Sequence, residues 1–463
     1  MKRWRKLVTA IAGLLLCTPW LLAKEEAPQE GIGLTIYNQN IALVKEIRSV
    51  DVKEGTDELR YSDVAAQIDP TSVHIESLTA PEAFQVLEQN FQYDLVSTER
   101  LLSKYIDRQI AVVTKDGNLY EGTLLSFDGS SLVIAKDREA GPIFSVSRDK
   151  VRDVQFSKLL EGLITKPTLV WLVSSTRALK HLTKLTYLTE GINWKADYVA
   201  AVAPDDKSLD LTGWVTIDNQ SGATYKDAKL KLIAGEIHRV TPPPVIVERR
   251  LMMAEAGEGA PQFVEKAFFE YHMYTLVRPA TVRDRETKQI QLLSAAGVSA
   301  TKTFRYNGAR DGAKVRVVME FENRKESNLG MPLPKGKVRV YKADVDGSLE
   351  FLGEDEIDHT PKDEKVKIFI GNAFDIVGER KQTGMEQRGG NVQDLSFEIR
   401  LRNHKTEEVE VIVEENFPQW VDWEIIAKSH PFEKKSQELV EFKVKVGPDK
   451  EEIITYTVRY RYR

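Results

Sequence analysis

The strongest constraint on the fold lies between residues 186 and 240, where apolar and polar side chains alternate with a period of two in three consecutive segments. One face of the middle segment carries Leu209, Leu211, Gly213, Val215 and Ile217. Such alternation, rich in β-branched and aromatic residues, is typical of half-buried strands. Turn residues separate the segments at 204–207 and at 218–222. We therefore predict antiparallel strands here, with Trp194 and Trp214 serving in packing.

Similar alternation recurs along most of the chain, and no long helical pattern follows residue 110. The sequence thus predicts an all-β fold. Because 463 residues exceed what one hydrophobic core supports, we expect about two to four domains. The predicted units are an N-terminal β segment (31–103), a small SH3-like or Sm-like barrel (104–158), a central β-sandwich (165–304) with a flexible loop at 241–262, and a C-terminal immunoglobulin-like sandwich (305–463).

The predicted small barrel contains five short strand patterns joined by hairpin signals such as Asp116-Gly117-Asn118. It is expected to interrupt a sandwich that resumes near Lys166. An Sm-like barrel raises the question of RNA binding. The segment from Lys104 to Lys158, however, contains nine Lys and Arg residues and eight Asp and Glu residues, so it carries almost no net charge. No basic surface for nucleic acid is therefore expected.

The first residues predict export. A positively charged start precedes the apolar run Leu7–Leu22, and Ala23 is the expected cleavage site of a signal peptide. The run is short for a membrane span and contains Pro19, so no stable span is expected after cleavage. A lipid anchor at Cys17 is disfavoured because the large Leu16 precedes it. We therefore expect a periplasmic or secreted protein.

The mature chain would contain no cysteine, which excludes disulfides, thiolate metal sites and cysteine nucleophiles. Cleavage of the signal peptide removes its four basic residues and changes the net charge from −5 to −9. A negative charge does not favour nucleic acid or anionic lipid as a partner. Neither a zinc-protease helix nor a Gly-x-Ser-x-Gly elbow is present. No catalytic residue, metal site or cofactor is predicted.

Two acidic clusters each allow two interpretations. Residues 344–347, with the sequence DVDG, contain carboxylates of the kind that calcium prefers, but Asp-Gly is itself a hairpin signal and we favour a turn. Residues 354–359, with the sequence EDEIDH, could hold a metal or an acid/base pair. Strand alternation would place these carboxylates on both faces, so we favour a solvated edge strand.

Two groups of residues are candidates for a binding surface. Trp420 and Trp423 could form an exposed aromatic platform for sugars, although core packing is the more common role of tryptophan. Tyr271, His272 and Tyr274 could line a groove beside the predicted loop at 241–262.

The segments GINWKADYVA (191–200) and LTGWVTIDNQSGATYKDAKLKLIAGEI (211–237) resemble the bacterial DUF4139 family, a domain of unknown function found in mucoidy-inhibitor-like proteins. The similarity extends more loosely through most of the chain to the C-terminus. It implies a β-rich exported protein, and the name of the related proteins implies an association with exopolysaccharide control. The family brings no established catalytic residues, so none is carried over.

Together these observations predict an exported, non-enzymatic β scaffold that binds a protein or polysaccharide of the cell envelope. Two alternatives remain open. One is a hydrolase of envelope glycans that uses an Asp/Glu pair, whose separation would decide its stereochemistry. The other is a structural assembly subunit with a large apolar surface patch.

Overall fold

A computed structural model describes residues 28–93, 96–158, 160, 164–235, 262–268, 271–344 and 346–462. The predicted signal peptide, with Cys17 and Ala23, lies outside the described residues. So does the predicted loop at 241–262, apart from Gln262.

The described residues form strands for most of their length, which confirms the all-β prediction. The strands before residue 160 are β1 (Gly31–Tyr37), β2 (Ile41–Val52), β3 (Gly55–Ser62), β4 (His74–Ser77), β5 (Phe84–Gln92), β6 (Gln109–Thr114), β7 (Leu119–Phe127), β8 (Ser131–Ala135), β9 (Ile143–Ser147) and β10 (Val151–Phe156). The central strands are β11 (Thr168–Ser175), β12 (Leu179–Glu190), β13 (Ile192–Val202), β14 (Ser208–Asn219), β15 (Tyr225–Ala234), β16 (Phe263–Phe268), β17 (Tyr271–Leu276), β18 (Ala280–Val282) and β19 (Glu286–Tyr306).

The remaining strands are β20 (Lys314–Glu322), β21 (Gly336–Ala343), β22 (Leu349–Ile357), β23 (Lys365–Gln387), β24 (Val392–Asn403), β25 (Val409–Asn416), β26 (Asp422–Lys428), β27 (Glu433–Lys434), β28 (Leu439–Val446) and β29 (Lys450–Arg461). The short helices are α1 (Thr98–Lys104) and α2 (Gly308–Asp311), with 3-10 turns at Pro70–Ser72, Pro81–Ala83, Arg148–Lys150 and Lys325–Ser327.

The N-terminal strands belong to the same sheet as part of the central region. An eight-stranded sheet has the order β16-β17-β15-β1-β2-β12-β4, with β18 also paired to β15. Strand β1 lies parallel to β15, and β2 pairs antiparallel with the whole length of β12. A three-stranded sheet, β3-β11-β5, packs against this sheet through a shared core that includes Tyr61 and Trp171.

A second large sheet has thirteen strands, and its longest path runs β22-β21-β13-β14-β19-β20-β23-β24-β29-β26. Its first seven strands curl around an apolar interior that contains Tyr198 and Phe321. The curl brings edge strand β22 beside β23, where Asp355 Oδ2 accepts a hydrogen bond from Phe369 N at 2.6 Å. Glycine is needed at position 353, because a Cβ there would lie 2.2 Å from the carbonyl oxygen of Ile370.

The segment 219–225 is where the chain passes from the larger sheet to the smaller one. Asn219 is fully buried, and its amide donates to the carbonyl oxygens of Ala223 and Arg283, each at 2.9 Å. Gly222 has φ +83°, and a Cβ there would lie 2.4 Å from Cβ of Ala66. The turn residues therefore build a corner between two sheets, and this corner also contacts the N-terminal region.

The five strand patterns predicted in the small unit are confirmed as β6 to β10 between residues 109 and 156, and they form one five-stranded sheet, β10-β6-β7-β8-β9. This unit has its own core around Val112, Leu124 and Ile134. The C-terminal strands enclose another core that includes Phe397, Phe442 and Tyr456. The SH3-like and immunoglobulin-like assignments of these two units stay predictions.

Candidate functional site

The five residues predicted to bind a partner lie in two different sheets. Tyr271, His272 and Tyr274 are on β17 of the eight-stranded sheet, whereas Trp420 and Trp423 lie beside and within β26 of the thirteen-stranded sheet. The structure therefore does not bring them together as one surface.

Tyr274 is part of the core and does not line a groove. It is 1% exposed, its ring lies 6.2 Å from that of Trp194, and its hydroxyl donates to the carbonyl oxygen of Pro332 at 2.9 Å. Burial raises the pKa of Tyr274 well above its usual value, so the phenol stays protonated. Nearby His272 is half-exposed, and its Nδ1 lies 2.8 Å from Oε1 of Glu265.

Trp423 has a structural role. One face of its indole packs on Phe417, with ring centroids 4.3 Å apart, and Nζ of Lys434 lies 4.4 Å from the ring centroid. Its Nε1 donates to the carbonyl oxygen of Gln437 at 2.8 Å. These contacts occupy the indole, so Trp423 does not share an open sugar-binding face with Trp420.

Trp420 instead lies beside Tyr462. The indole is 70% exposed, and the two ring centroids are 6.0 Å apart with an interplanar angle of 39°. The pair forms because β26 and β29 are antiparallel neighbours with Asp422 opposite Arg461, so the residues just beyond these strand ends meet. We call Trp420 and Tyr462 the aromatic platform.

The aromatic platform is supported from the core. The Tyr462 ring lies 6.3 Å from Tyr460, which in turn lies 6.4 Å from the buried Phe417. The Tyr462 hydroxyl donates to Oε1 of Gln393 at 3.0 Å. The row of rings and this hydrogen bond fix the position of Tyr462 while leaving Trp420 open to solvent.

A second feature is a cleft of about 490 Å³, which we call the charged cleft. It is bounded by the start of β13, the segment that opens β21, the end of β22 and the turn between β1 and β2. Its lining includes Asn38, Asp197, Lys335, Lys337, Glu354 and Glu356. The two large sheets thus both contribute to it.

Acidic groups in the charged cleft are held by basic or hydroxyl groups. Asp197 is nearly buried and accepts a hydrogen bond from Thr216 Oγ1 at 2.7 Å. Lys337 Nζ donates to Oε1 of Glu354 at 2.8 Å, and this contact holds the pKa of Glu354 below its usual range. Glu354 is therefore ionised at neutral pH and cannot serve there as a general acid.

The two acidic clusters have the structures that we favoured. Asp344 and residues 346–348 lie in a turn between β21 and β22, where Gly347 N donates to Asp344 O at 3.0 Å. Residues 354–357 end the edge strand β22. Glu354 faces Lys337, whereas Asp355 turns to the opposite side and contacts β23.

A family model described as a domain of unknown function (DUF4139) matches residues 183–463, which is more than half of the chain. The chain belongs to the DUF4139 family. No curated protein matches it. The matched region begins within β12, and strands β1 and β2, which precede it, complete the sheet that contains β12 and β15.

No helix among the described residues of this DUF4139 protein has the length and apolar character needed to cross a membrane. Sequence reasoning chose Trp420 but missed Tyr462, since the two meet only through strand pairing. It also missed the charged cleft, which forms from four separate stretches of chain. The available signal for Tyr462 was its place after Tyr456 and Tyr460 in the alternating pattern of the last strand.

Proposed function

We propose that this DUF4139 protein is an exported, non-enzymatic β scaffold of the bacterial envelope that binds polysaccharide through the aromatic platform. The observation that carries the proposal is the exposure of Trp420, which is 70% accessible beside a ring that the core holds in place. Export rests on the basic and apolar pattern of residues 2–22. The SH3-like unit and the immunoglobulin-like C-terminal sandwich would serve as rigid supports.

The chemistry of sugars suits this surface. A pyranose ring presents an apolar face of C–H groups, which packs on an indole or phenol ring, while its hydroxyls need polar neighbours. A large exposed aromatic side chain is uncommon, because burying it releases water from much apolar area. The amide of Gln393 and the hydroxyl of Tyr462 lie next to the rings as polar partners.

Glu354 of the charged cleft is kept ionised by Lys337, so in a glycan hydrolase it would act as the nucleophile or base and not as the acid that protonates the leaving oxygen. We place the glycan hydrolase below the binding scaffold because the exposed indole of Trp420 favours binding by stacking.

The test is affinity electrophoresis of the full mature chain in native gels containing exopolysaccharide purified from the source bacterium. We expect the polysaccharide to retard the wild-type protein. Trp420→Ala should raise the dissociation constant about tenfold, because stacking area is lost. Phe374→Ala is the matched control, because Phe374 is 96% exposed and lies outside the aromatic platform.

Equal retention of the Trp420→Ala and wild-type proteins would overturn the aromatic platform as the site. Absence of retardation, combined with one dominant protein adduct after crosslinking in cells, would replace polysaccharide with a protein partner. New reducing ends that appear with wild type and disappear with Glu354→Gln would establish the hydrolase instead.

A further inference from the structure

Strand β22 is an end strand of the thirteen-stranded sheet. Among the described residues it pairs with β21 and with no other strand, so the backbone groups along its second edge have no ladder partner. The curl of the sheet brings β23 to this edge at Gly353 and Asp355, and residues 349–352 precede those contacts. Unpaired N–H and C=O groups along a strand edge are a template on which a further strand can form.

The same part of β22 exposes large apolar side chains. Leu349 is 55% exposed, Phe351 is 56% exposed and Leu352 is 40% exposed. Natural proteins usually protect a strand edge with charged residues or proline, whereas here three of four consecutive residues are apolar. Apolar side chains that are exposed together are typical of an interaction surface. We call residues 349–352 the open edge.

The pairing of β21 with β22 gives the open edge two chemically different faces. Leu349 and Phe351 lie on one face together with Tyr341, whose ring centroid is 5.5 Å from that of Phe351. Glu350 lies on the opposite face, across from Lys342 of β21. Successive side chains of a strand alternate between faces, and directly opposed residues of paired strands share a face. The open edge therefore has an apolar face and an acidic face.

The charge of the acidic face is not balanced by its neighbours. Between residues 343 and 353 the chain contains three acidic residues and no Lys or Arg. Lys342 Nζ donates to Oδ1 of Asp206 at 2.5 Å, so its charge is already paired. Glu350 is exposed and contacts Ser348 Oγ at 3.3 Å. A second copy of this strand would bring like charges together, whereas a basic partner complements them.

We propose that the open edge binds an extended segment of a partner protein in which apolar and basic residues alternate. The segment adds to β22 as a further strand. Its apolar side chains then cover Leu349 and Phe351, and its basic side chains meet Glu350, because opposed residues share a face. The open edge is separate from the aromatic platform, and the inference does not depend on the polysaccharide proposal.

The experiment is a fluorescence anisotropy titration of two labelled hexapeptides with the full mature chain at low ionic strength. The basic peptide is Lys-Val-Lys-Val-Lys-Val and the acidic peptide is Glu-Val-Glu-Val-Glu-Val. We expect the basic peptide to bind about tenfold more tightly, since the acidic peptide places like charges against Glu350. No binding of the basic peptide, or equal affinities for the two peptides, would overturn the proposal.

Backbone pairing is tested with two N-methylated forms of the basic peptide. Alternate N–H groups of a strand point to the same edge, so methylation of every lysine nitrogen blocks one edge and methylation of every valine nitrogen blocks the other. We expect one form to bind about tenfold more weakly than the unmodified peptide and the other to retain binding. Retention of binding by both forms would exclude strand addition.

Variants of the protein locate the binding at the open edge. Glu350→Lys should weaken binding of the basic peptide about tenfold and strengthen binding of the acidic peptide. The matched control is Glu88→Lys, because Glu88 is exposed on another end strand, β5, and the net charge changes equally. Equal effects in the two variants would refute the site. Phe351→Ala should weaken binding of both peptides about tenfold, and unchanged affinity would exclude the apolar face.

Discussion

Trp194 connects the two large sheets, and replacing it with phenylalanine tests whether that contact stabilises the protein. The indole belongs to β13, and its Nε1 donates to the carbonyl oxygen of Ile233 on β15 at 3.1 Å. Trp194→Phe leaves that buried acceptor without its donor, which costs about 1–3 kcal/mol. The smaller ring also leaves a cavity worth about 1 kcal/mol. We expect the free energy of unfolding to fall by about 2–4 kcal/mol.

The assay is urea denaturation monitored by far-ultraviolet circular dichroism. The dependence of the unfolding free energy on urea concentration is compared between variants, so that a change in stability is separated from a change in the surface exposed on unfolding. Trp420→Phe is the matched control, because the exposed indole makes no hydrogen bond of this kind and its replacement should change stability by less than about 0.5 kcal/mol. If Trp194→Phe changed stability no more than Trp420→Phe, the inter-sheet hydrogen bond would not be the stabilising contact that the geometry indicates.

Two further predictions concern a close backbone contact and a buried histidine. Gly353→Ala should destabilise the protein by about 1–3 kcal/mol in thermal or urea unfolding, because the new Cβ would clash with the carbonyl oxygen of Ile370. Gly371→Ala is the control, since a Cβ there meets open space and should cost less than about 1 kcal/mol. Similar losses of stability in both variants would contradict the clash. His181 is fully buried beside Ser77, and burial lowers its pKa below 6.5. Between the folded pKa and 6.5 the unfolded chain binds a proton that the folded chain does not, so this contribution to stability is complete above pH 6.5 and falls as the pH decreases. Urea unfolding at pH 7.5 and 5.5 should show a smaller decrease for His181→Gln than for wild type, and an identical decrease would exclude His181 as its source.

Local patterns predicted those parts of the fold in which sequence neighbours pair. Strands β6 to β9 follow one another as hairpins, so a turn signal such as Asp116-Gly117 predicts the next pairing, whereas β10 pairs with the distant β6. The three glycines in residues 384–390 predict an exposed loop, but β23 continues to Gln387. A register shift at Gln382 and Gly384 accommodates the glycine within the strand, so this glycine marks a bulge rather than a loop.

The candidate site was harder to predict because alternation identifies two faces of a strand without saying what each face meets. Tyr274 was predicted to line a groove, but the face of β17 that carries it is turned into the core, where the phenol packs against Trp194. For Trp420, the partner Tyr462 became its neighbour only through the register of β26 and β29. Neither outcome can be read from the spacing of the residues along the chain.

By itself, the sequence determined the all-β class, most strand positions and the expectation of export, because period-two alternation, turn residues and a basic start followed by an apolar run are local signals. Only the tertiary structure decided that β1 lies parallel to β15, that β22 returns beside β23, and that Asn38 shares a cleft with Lys335. These contacts join residues far apart in the chain. They are selected by the combined burial of apolar faces and the pairing of backbone groups across whole sheets, and no single segment carries that information.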